Sequence, residues 1–153
     1  MSEQESQQAL PPLLVNMQYV KDLSFEAPNA PAIFTDMQTT APEIGIKVNV
    51  QANPVQGNLF EVSLLLNVEA KLADKSAFIL ELIYAGLFTL NVPEEHVQPM
   101  LLIECPRMLF PFARAIVAEA TQNGGFPPLM LQPLDFVTLY RQRMEQQGPV
   151  GTA

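Results

Sequence analysis

The architecture of this chain follows from one segment near its middle, Ala77-Phe78-Ile79-Leu80-Glu81-Leu82-Ile83-Tyr84-Ala85-Gly86-Leu87-Phe88. Successive side chains of a strand point to opposite faces. Because only Glu81 is charged, both faces of this predicted strand are nearly apolar. A strand of that kind belongs in a sheet that is covered on both sides. The chain offers too little helix for both, so a second subunit is expected against one face.

The residues before this segment alternate between apolar and polar side chains, as half-buried strands do. The alternation is clearest in Ile44–Val50 and in Phe60–Leu64. Turn-forming residues at 53–58 and 73–76 separate the segments, which predicts three antiparallel strands joined by hairpins. An earlier predicted strand over Val15–Phe25 makes four.

Beyond Pro93 the apolar period lengthens toward that of a helix. The first helix is expected to end at Asn123-Gly124-Gly125, and the prolines in its first half predict kinks. A second helix is predicted over residues 134–147, with Gly148 beyond its end. The predicted fold is therefore α+β, a four-stranded antiparallel sheet with two C-terminal helices.

Both ends of the chain are predicted to lie outside the folded domain. Residues 1–12 are rich in Gln, Ser and Glu, and we expect a disordered N-terminal segment. Residues 148–153 are expected to form a flexible tail. The intervening residues 13–147 form the predicted domain, and 48% hydrophobic residues in the chain are enough for a sizeable core.

Net charge, the length of apolar runs and the cysteine count indicate which partners and which location to expect. The formal charge of −8 argues against nucleic acid, whose phosphates need basic side chains, and favours basic partners. The longest apolar runs, such as Met100–Ile103 and Met108–Ala113, are far shorter than the roughly 20 residues of a membrane-spanning helix. A single cysteine, Cys105, and the lack of a leader pattern at the start predict a cytoplasmic protein.

Few residues are suited to catalysis or metal binding. His96 follows Glu94 and Glu95 at a predicted helix start, where carboxylates favour the positive end of the helix dipole. Cys105 has no second cysteine and lies in an apolar stretch, which is typical of a buried, unreactive thiol. The sequence therefore predicts no enzyme active site, no metal site and no cofactor.

Prolines interrupt apolar residues at two places, Phe110–Arg114 and Phe126–Leu134. Proline disrupts ordinary helix and strand packing, whereas methionine adapts its shape to varied partners. These residues could all belong to the core, which is the commoner fate of apolar stripes. The alternative is a loop covering a groove that accepts extended polypeptide.

Three segments resemble those of a known family, namely Tyr19–Pro31, Cys105–Arg114 and Gly125–Phe136. They are similar to the characteristic segments of the bacterial protein-export chaperone family SecB. The resemblance implies a homotetramer, built as a dimer of dimers, that binds unfolded precursor proteins in the cytoplasm without ATP. It also implies delivery of these clients to the translocase motor SecA, to which any zinc at the contact would belong.

The resemblance assigns roles to three groups of residues. The residues implied to dock the basic, zinc-binding tail of SecA are Asp22, Glu26, Ile79 and Glu81. Those implied to lie near the contact between dimers are Leu80, Leu82 and Tyr84. The apolar lining of the client groove is implied to comprise Ile44, Ile46, Val48, Phe112, Leu131 and Phe136.

Two other classes of protein are compatible with this composition. A hotdog-type enzyme acting on an acyl thioester would also combine a helix with an antiparallel sheet in an acidic oligomer. It would need an acid or base beside a helix N-terminus, and only Glu94, Glu95 and His96 offer one. The third hypothesis is a structural oligomer that binds only its own copies and has no affinity for unfolded chains.

Overall fold

The computed structural model describes residues 10–152. The predicted disordered segment falls outside this range as far as residue 9, as does Ala153 of the predicted tail. Four long strands form one sheet, and helices follow it in the chain. The strands are β1 (Leu13–Glu26), β2 (Glu43–Gln56), β3 (Leu59–Leu72) and β4 (Lys75–Leu90).

The strands pair antiparallel in the order β1-β4-β3-β2. Hairpins join β2 to β3 and β3 to β4, as predicted, and β1 pairs with the outer side of β4. The first hairpin turns later than predicted, because β2 continues through Pro54 to Gln56. Proline is tolerated there because β2 is an edge strand, which needs no outward N–H bond. Gly57 then makes the turn with a φ of 58°.

One face of the sheet, here called the helix face, carries most of the core. Alternate residues of β3 and β4 point toward the helices and have almost no exposed surface. The helix-face residues that are fully or almost fully buried include Val62, Leu64, Leu66, Val68, Leu80, Leu82 and Phe88. Burying such a side chain contributes about 1.5 to 3 kcal/mol. The two central strands thus supply most of the apolar side chains in the core.

The predicted first helix consists of three consecutive parts. They are α2 (Glu94–Pro99), a π-helical turn (Met100–Glu104) and α3 (Cys105–Asn123). Pro106 lacks the N–H that would bond the carbonyl four residues earlier, and such a gap favours a wider turn. The kink predicted from the prolines is therefore realised as a π turn. The helix ends at Gly124, as predicted, where a Cβ would overlap the ring of Phe25.

The loop after α3 returns across the sheet through a cluster of aromatic rings. Phe126 packs against Phe25, Phe34 and Phe78, with ring centroids 5.0 to 6.2 Å apart. Phe34 belongs to a short helix that the sequence did not predict, α1 (Ala32–Asp36). The Thr121 hydroxyl accepts a hydrogen bond from the Leu129 N–H at 2.9 Å. These contacts fix the loop against the folded sheet.

The last helix, α4 (Phe136–Thr152), begins two residues later and ends later than predicted. Asp135 caps it, since its carboxylate accepts a hydrogen bond from the Thr138 N–H at 3.1 Å. The predicted end at residue 147 is wrong because the helix continues past Gly148. A glycine inside a helix costs only about 1 kcal/mol relative to alanine, so it marks a helix end weakly.

Candidate docking and client-binding surfaces

The side of the sheet away from the helices, here called the open face, brings four predicted docking residues together. Asp22, Ser24 and Glu26 of β1 lie opposite Ile83, Glu81 and Ile79 of β4. Because directly opposed residues share a face, Asp22, Glu26, Ile79 and Glu81 form one continuous surface. Asp22, Glu26 and Glu81 are exposed, whereas Ile79 is half-buried.

The three exposed carboxylates of this surface, Asp22, Glu26 and Glu81, are here called the acidic patch. Within residues 10–152 none of them forms a salt bridge with a basic side chain. Their charges are therefore available to an approaching cation. Ile79 and Glu81 also line a shallow depression of about 550 Å³ that extends to Gly45 and Lys47 on β2. The arrangement suits a basic segment that also carries apolar side chains.

A β-bulge in β1 aligns the acidic patch. The pairing of β1 with β4 shifts by one residue between Val20 and Asp22, which leaves Lys21 as the extra residue. Beyond the bulge the pairing of residues 22–26 is regular, and the carboxylates of Asp22 and Glu26 point the same way. Sequence spacing alone predicted this shared direction, and the register confirms it.

The predicted client-binding residues lie in two separate places. Ile44, Ile46 and Val48 follow one another on the helix face of β2, and Ile44 and Ile46 are 41% and 44% exposed. Beside Val48 lies a cavity of about 380 Å³ between β2, the π turn and α4. The Arg143 guanidinium bonds the Val50 carbonyl at 2.7 Å and holds α4 against β2. These three residues and the cavity are here called the β2 groove.

Phe112 lies on the opposite side of the helix layer, at the β1 edge of the sheet. It is 52% exposed and packs against Tyr84, with ring centroids 6.2 Å apart. Val20 and Leu23 lie on the same face of the sheet, opposite Tyr84 and Leu82 of β4, and Met108 lies one helical turn before Phe112 on α3. The surface formed at this edge is here called the β1 apolar surface, and it comprises Val20, Leu23, Met108 and Phe112. The structure therefore does not bring Phe112 to the β2 groove.

Sequence reasoning missed Val20, Leu23 and Met108. In β1 the apolar residues on the helix face could have been identified by alternation, but the bulge at Lys21 breaks the period of two. Met108 lies on an exposed part of α3 between buried Cys105 and Leu109. The only sequence signal there was a helical period, which does not reveal how far the covering helix extends over the sheet.

Two residues predicted to line the client groove belong to the core instead. Leu131 is 4% exposed and Phe136 is 2% exposed, and Phe110 packs at the edge of the Phe136 ring. Neither side chain can contact a client in this conformation. Both follow the prolines of the connecting loop, which turn the chain inward to the core that α3 and α4 share.

The residues predicted to lie near the contact between dimers are also buried within the chain itself. Leu80 and Leu82 have 0% and 1% exposure, and Tyr84 has 7%. The helix layer covers this face of β4, since a Cβ on Gly86 would lie 3.1 Å from the Leu109 side chain of α3. A direct contact of Leu80 or Leu82 with another subunit is therefore excluded in this conformation.

The residues considered for catalysis are not assembled into a site. Glu94, Glu95 and His96 are all exposed at the start of α2. Cys105 has no exposed surface, and burial raises the pKa of its thiol to about 12, which keeps it protonated. Within residues 10–152 no three potential ligand side chains converge as a metal site would require. In the same part of the chain, no helix combines the length and apolarity needed to cross a membrane.

An α+β sheet with exposed apolar surfaces and a separate acidic patch is typical of proteins that bind other polypeptides. Comparison with known proteins identifies the family. A model of the family described as "Preprotein translocase subunit SecB" matches residues 5–147. The protein-export protein SecB of Paramagnetospirillum magneticum is 61% identical over 139 residues, which cover 91% of this chain and 90% of that protein.

A second relative agrees with this family assignment, and a solved structure shares the fold. The protein-export protein SecB of Rhodospirillum rubrum is 54% identical over 134 residues, covering 88% of this chain and 83% of that protein. A solved SecB-like chaperone of Mycobacterium tuberculosis, in complex with an antitoxin peptide, shares the fold with a TM-score of 0.62. It is 19% identical and covers 81% of this chain and 91% of that chain. This chain belongs to the SecB family and is a protein-export chaperone.

Proposed function

We propose that this protein is an ATP-independent cytoplasmic holdase that binds unfolded precursor proteins and delivers them to SecA. The observation that carries the proposal is the separation of its surfaces. The exposed apolar residues of the β2 groove lie on the helix face, whereas the acidic patch lies on the open face. A client and a motor protein could therefore be bound at the same time.

The β2 groove supplies the proposed client site. Ile44 and Ile46 present apolar surface along an edge strand, and the adjacent cavity can accept further apolar side chains. Each apolar side chain of a client buried there contributes about 1.5 to 3 kcal/mol. Ordering a flexible client costs about 1 to 2 kcal/mol per residue, so one groove binds weakly. Several linked grooves raise the effective concentration of each further contact.

The acidic patch supplies the proposed SecA site. Asp22, Glu26 and Glu81 would attract a basic segment, while Ile79 provides an apolar contact between them. Exposed charges act over about 10 Å at 0.1 M salt and less at higher concentrations. Docking of SecA is therefore expected to weaken as the salt concentration rises. No cofactor or catalytic step is needed for this transfer.

The β1 apolar surface supports the proposed dimer of dimers. Val20 and Leu23 of β1 and Met108 and Phe112 of α3 are each 40% to 52% exposed. A cluster of this kind on one chain is typical of a contact between subunits. A second copy would cover it, and a dimer of dimers would place four β2 grooves in one particle, as multivalent binding requires.

A refolding assay tests the holdase proposal. The purified protein, sized by light scattering, should suppress refolding of a slow-folding precursor without nucleotide, at about one tetramer per client. In the variant Ile46→Asp the same suppression should need about tenfold more protein or more, because burial of Ile46 by a client is lost. Val55→Asp is the matched control, since Val55 is 54% exposed on β2 but lies at its hairpin end.

An assembled tetramer that leaves precursor refolding unchanged would contradict the holdase proposal. Equal losses in Ile46→Asp and Val55→Asp would contradict the β2 groove as the client site while sparing the function. Hydrolysis of acyl-coenzyme A by the unmodified protein would favour the acyl-thioester enzyme instead.

A further inference from the structure

A polar network on the open face connects β1 to β3 across β4. The Lys21 ammonium donates a hydrogen bond to Oε1 of Glu61 at 2.8 Å. The Tyr19 hydroxyl donates a hydrogen bond to the other carboxylate oxygen. Glu61 lies on β3, two strands away from Tyr19 and Lys21. Both side chains therefore reach over β4, where Ala85 is fully buried and the neighbouring Ser63 of β3 nearly so.

The β-bulge at Lys21 brings this network next to the acidic patch. In a regular strand Lys21 and Asp22 would point to opposite faces. Because Lys21 is the extra residue of the bulge, Asp22 lies on the open face, and the Lys21 side chain reaches Glu61 on that same face. A flexible ammonium is thus attached next to a carboxylate of the acidic patch.

Glu61 binds the Lys21 ammonium at a position outside the acidic patch. Its side chain is only 17% exposed, whereas the Lys21 side chain is 49% exposed. Hydrogen bonds from Lys21 and Tyr19 lower the pKa of Glu61, so it stays ionised near neutral pH. The acidic patch contributes three negative charges, and Lys21 without Glu61 would offset one of them. No other carboxylate forms a salt bridge with Lys21 within residues 10–152.

We infer that Glu61 is a positioning residue for SecA docking, which sequesters the Lys21 ammonium and leaves Asp22, Glu26 and Glu81 unpaired for a basic partner. The inference rests on the proposed docking function of the acidic patch. Glu61 itself need not contact SecA. Its effect acts through Lys21, and removal of Lys21 should abolish that effect.

Binding of purified SecA to the full-length chaperone tests this inference. The variant Glu61→Gln should bind SecA about three- to tenfold more weakly at low salt, and the loss should shrink at high salt. The double variant Lys21→Met/Glu61→Gln should regain the unmodified affinity, since the freed ammonium is gone. A merely structural role predicts no such rescue, because the double variant still lacks the bonds from β1 to Glu61.

Two control variants distinguish an error in the inference about Glu61 from an error in the proposed docking site. Glu119→Gln makes the same change in net charge on α3, where Glu119 is exposed, and should leave SecA binding unchanged. Glu81→Lys should remove SecA binding if the acidic patch is the docking site. Suppose that Glu81→Lys fails to bind SecA, as the docking site requires. The inference is then overturned if Glu61→Gln binds SecA as tightly as the unmodified protein. It is also overturned if the double variant binds as weakly as Glu61→Gln. Unmodified affinity in Glu81→Lys overturns the docking site itself and the inference with it.

Discussion

The helix face and the open face of the same strand differ more than their sequences suggest. On β4, Leu80 and Leu82 are almost fully buried, whereas Ile79 and Ile83, which alternate with them, are only half-buried. The four side chains have nearly equal hydrophobicity. The difference arises because α3 packs on the helix face, where Leu109 lies beside Gly86 of β4. Equal apolarity on the two faces of a strand therefore predicts that each face is covered or binds a partner. It does not show which face belongs to the core of the chain.

The largest expected effect tests the comparison by stability. Leu82→Ala should lower the free energy of unfolding by about 2 to 5 kcal/mol, because it leaves a cavity beneath the helices. Ile83→Ala, one residue further along, should cost about 1 kcal/mol, because its side chain is half-buried. Urea unfolding followed by circular dichroism measures both. A cost for Ile83→Ala as large as that for Leu82→Ala would show that another subunit covers the open face.

The next effect tests the comparison by binding. Glu81→Lys reverses one of the three charges of the acidic patch and should abolish SecA binding, a loss of affinity of more than about tenfold. Client binding should be unchanged, since Glu81 points away from the β2 groove. Binding of SecA and of an unfolded precursor should be measured separately on the same tetramer. Loss of both activities together would contradict separate surfaces for client and motor.

A smaller effect concerns the pH dependence of stability on the open face. Hydrogen bonds from Lys21 and Tyr19 lower the pKa of Glu61 below 4.5, its ordinary value. A carboxyl group of lowered pKa stabilises the fold above its unfolded pKa, and this stabilisation is lost as the pH falls through the folded value. Unmodified protein and Glu61→Gln should therefore differ in stability at pH 7. The difference should diminish as the pH falls below 4.5, and a constant difference would contradict the ion pair.

The pKa of Tyr19 shifts in the opposite direction to that of Glu61, so its contribution to stability is lost at high pH. Burial and the bond to ionised Glu61 raise the pKa of Tyr19 from 10.0 to about 12. Its contribution to stability is complete below pH 10 and is lost between pH 10 and 12. Ultraviolet titration of tyrosinate, compared with Tyr19→Phe, should assign one ionisation near pH 12 to this residue. An ionisation of Tyr19 near pH 10 instead would contradict both the burial of Tyr19 and its bond to Glu61.

The four strands, their hairpins and the end of the first long helix could be read from sequence. They depend on local periodicity and on turn residues such as Gly57 and Gly124, whose effects act over a few residues. The shared direction of Asp22 and Glu26 was predictable for the same reason, as was that of Ile79 and Glu81, because alternation along one strand is local. That the two pairs meet on one face depends on the register of β1 with β4. The family resemblance supplied the proposed roles, which local patterns do not contain.

Whether an individual apolar side chain is buried or exposed depends on packing between distant segments of the chain. Leu131 and Phe136 looked like groove residues, but the loop after α3 buries them. Ile46 and Phe112 lie on opposite sides of the helix layer, which depends on how far α3 and α4 extend over the sheet. The bridge from Lys21 to Glu61 spans 40 residues of chain and crosses a whole strand. Such pairings depend on strand order and on a bulge, which are properties of the assembled sheet.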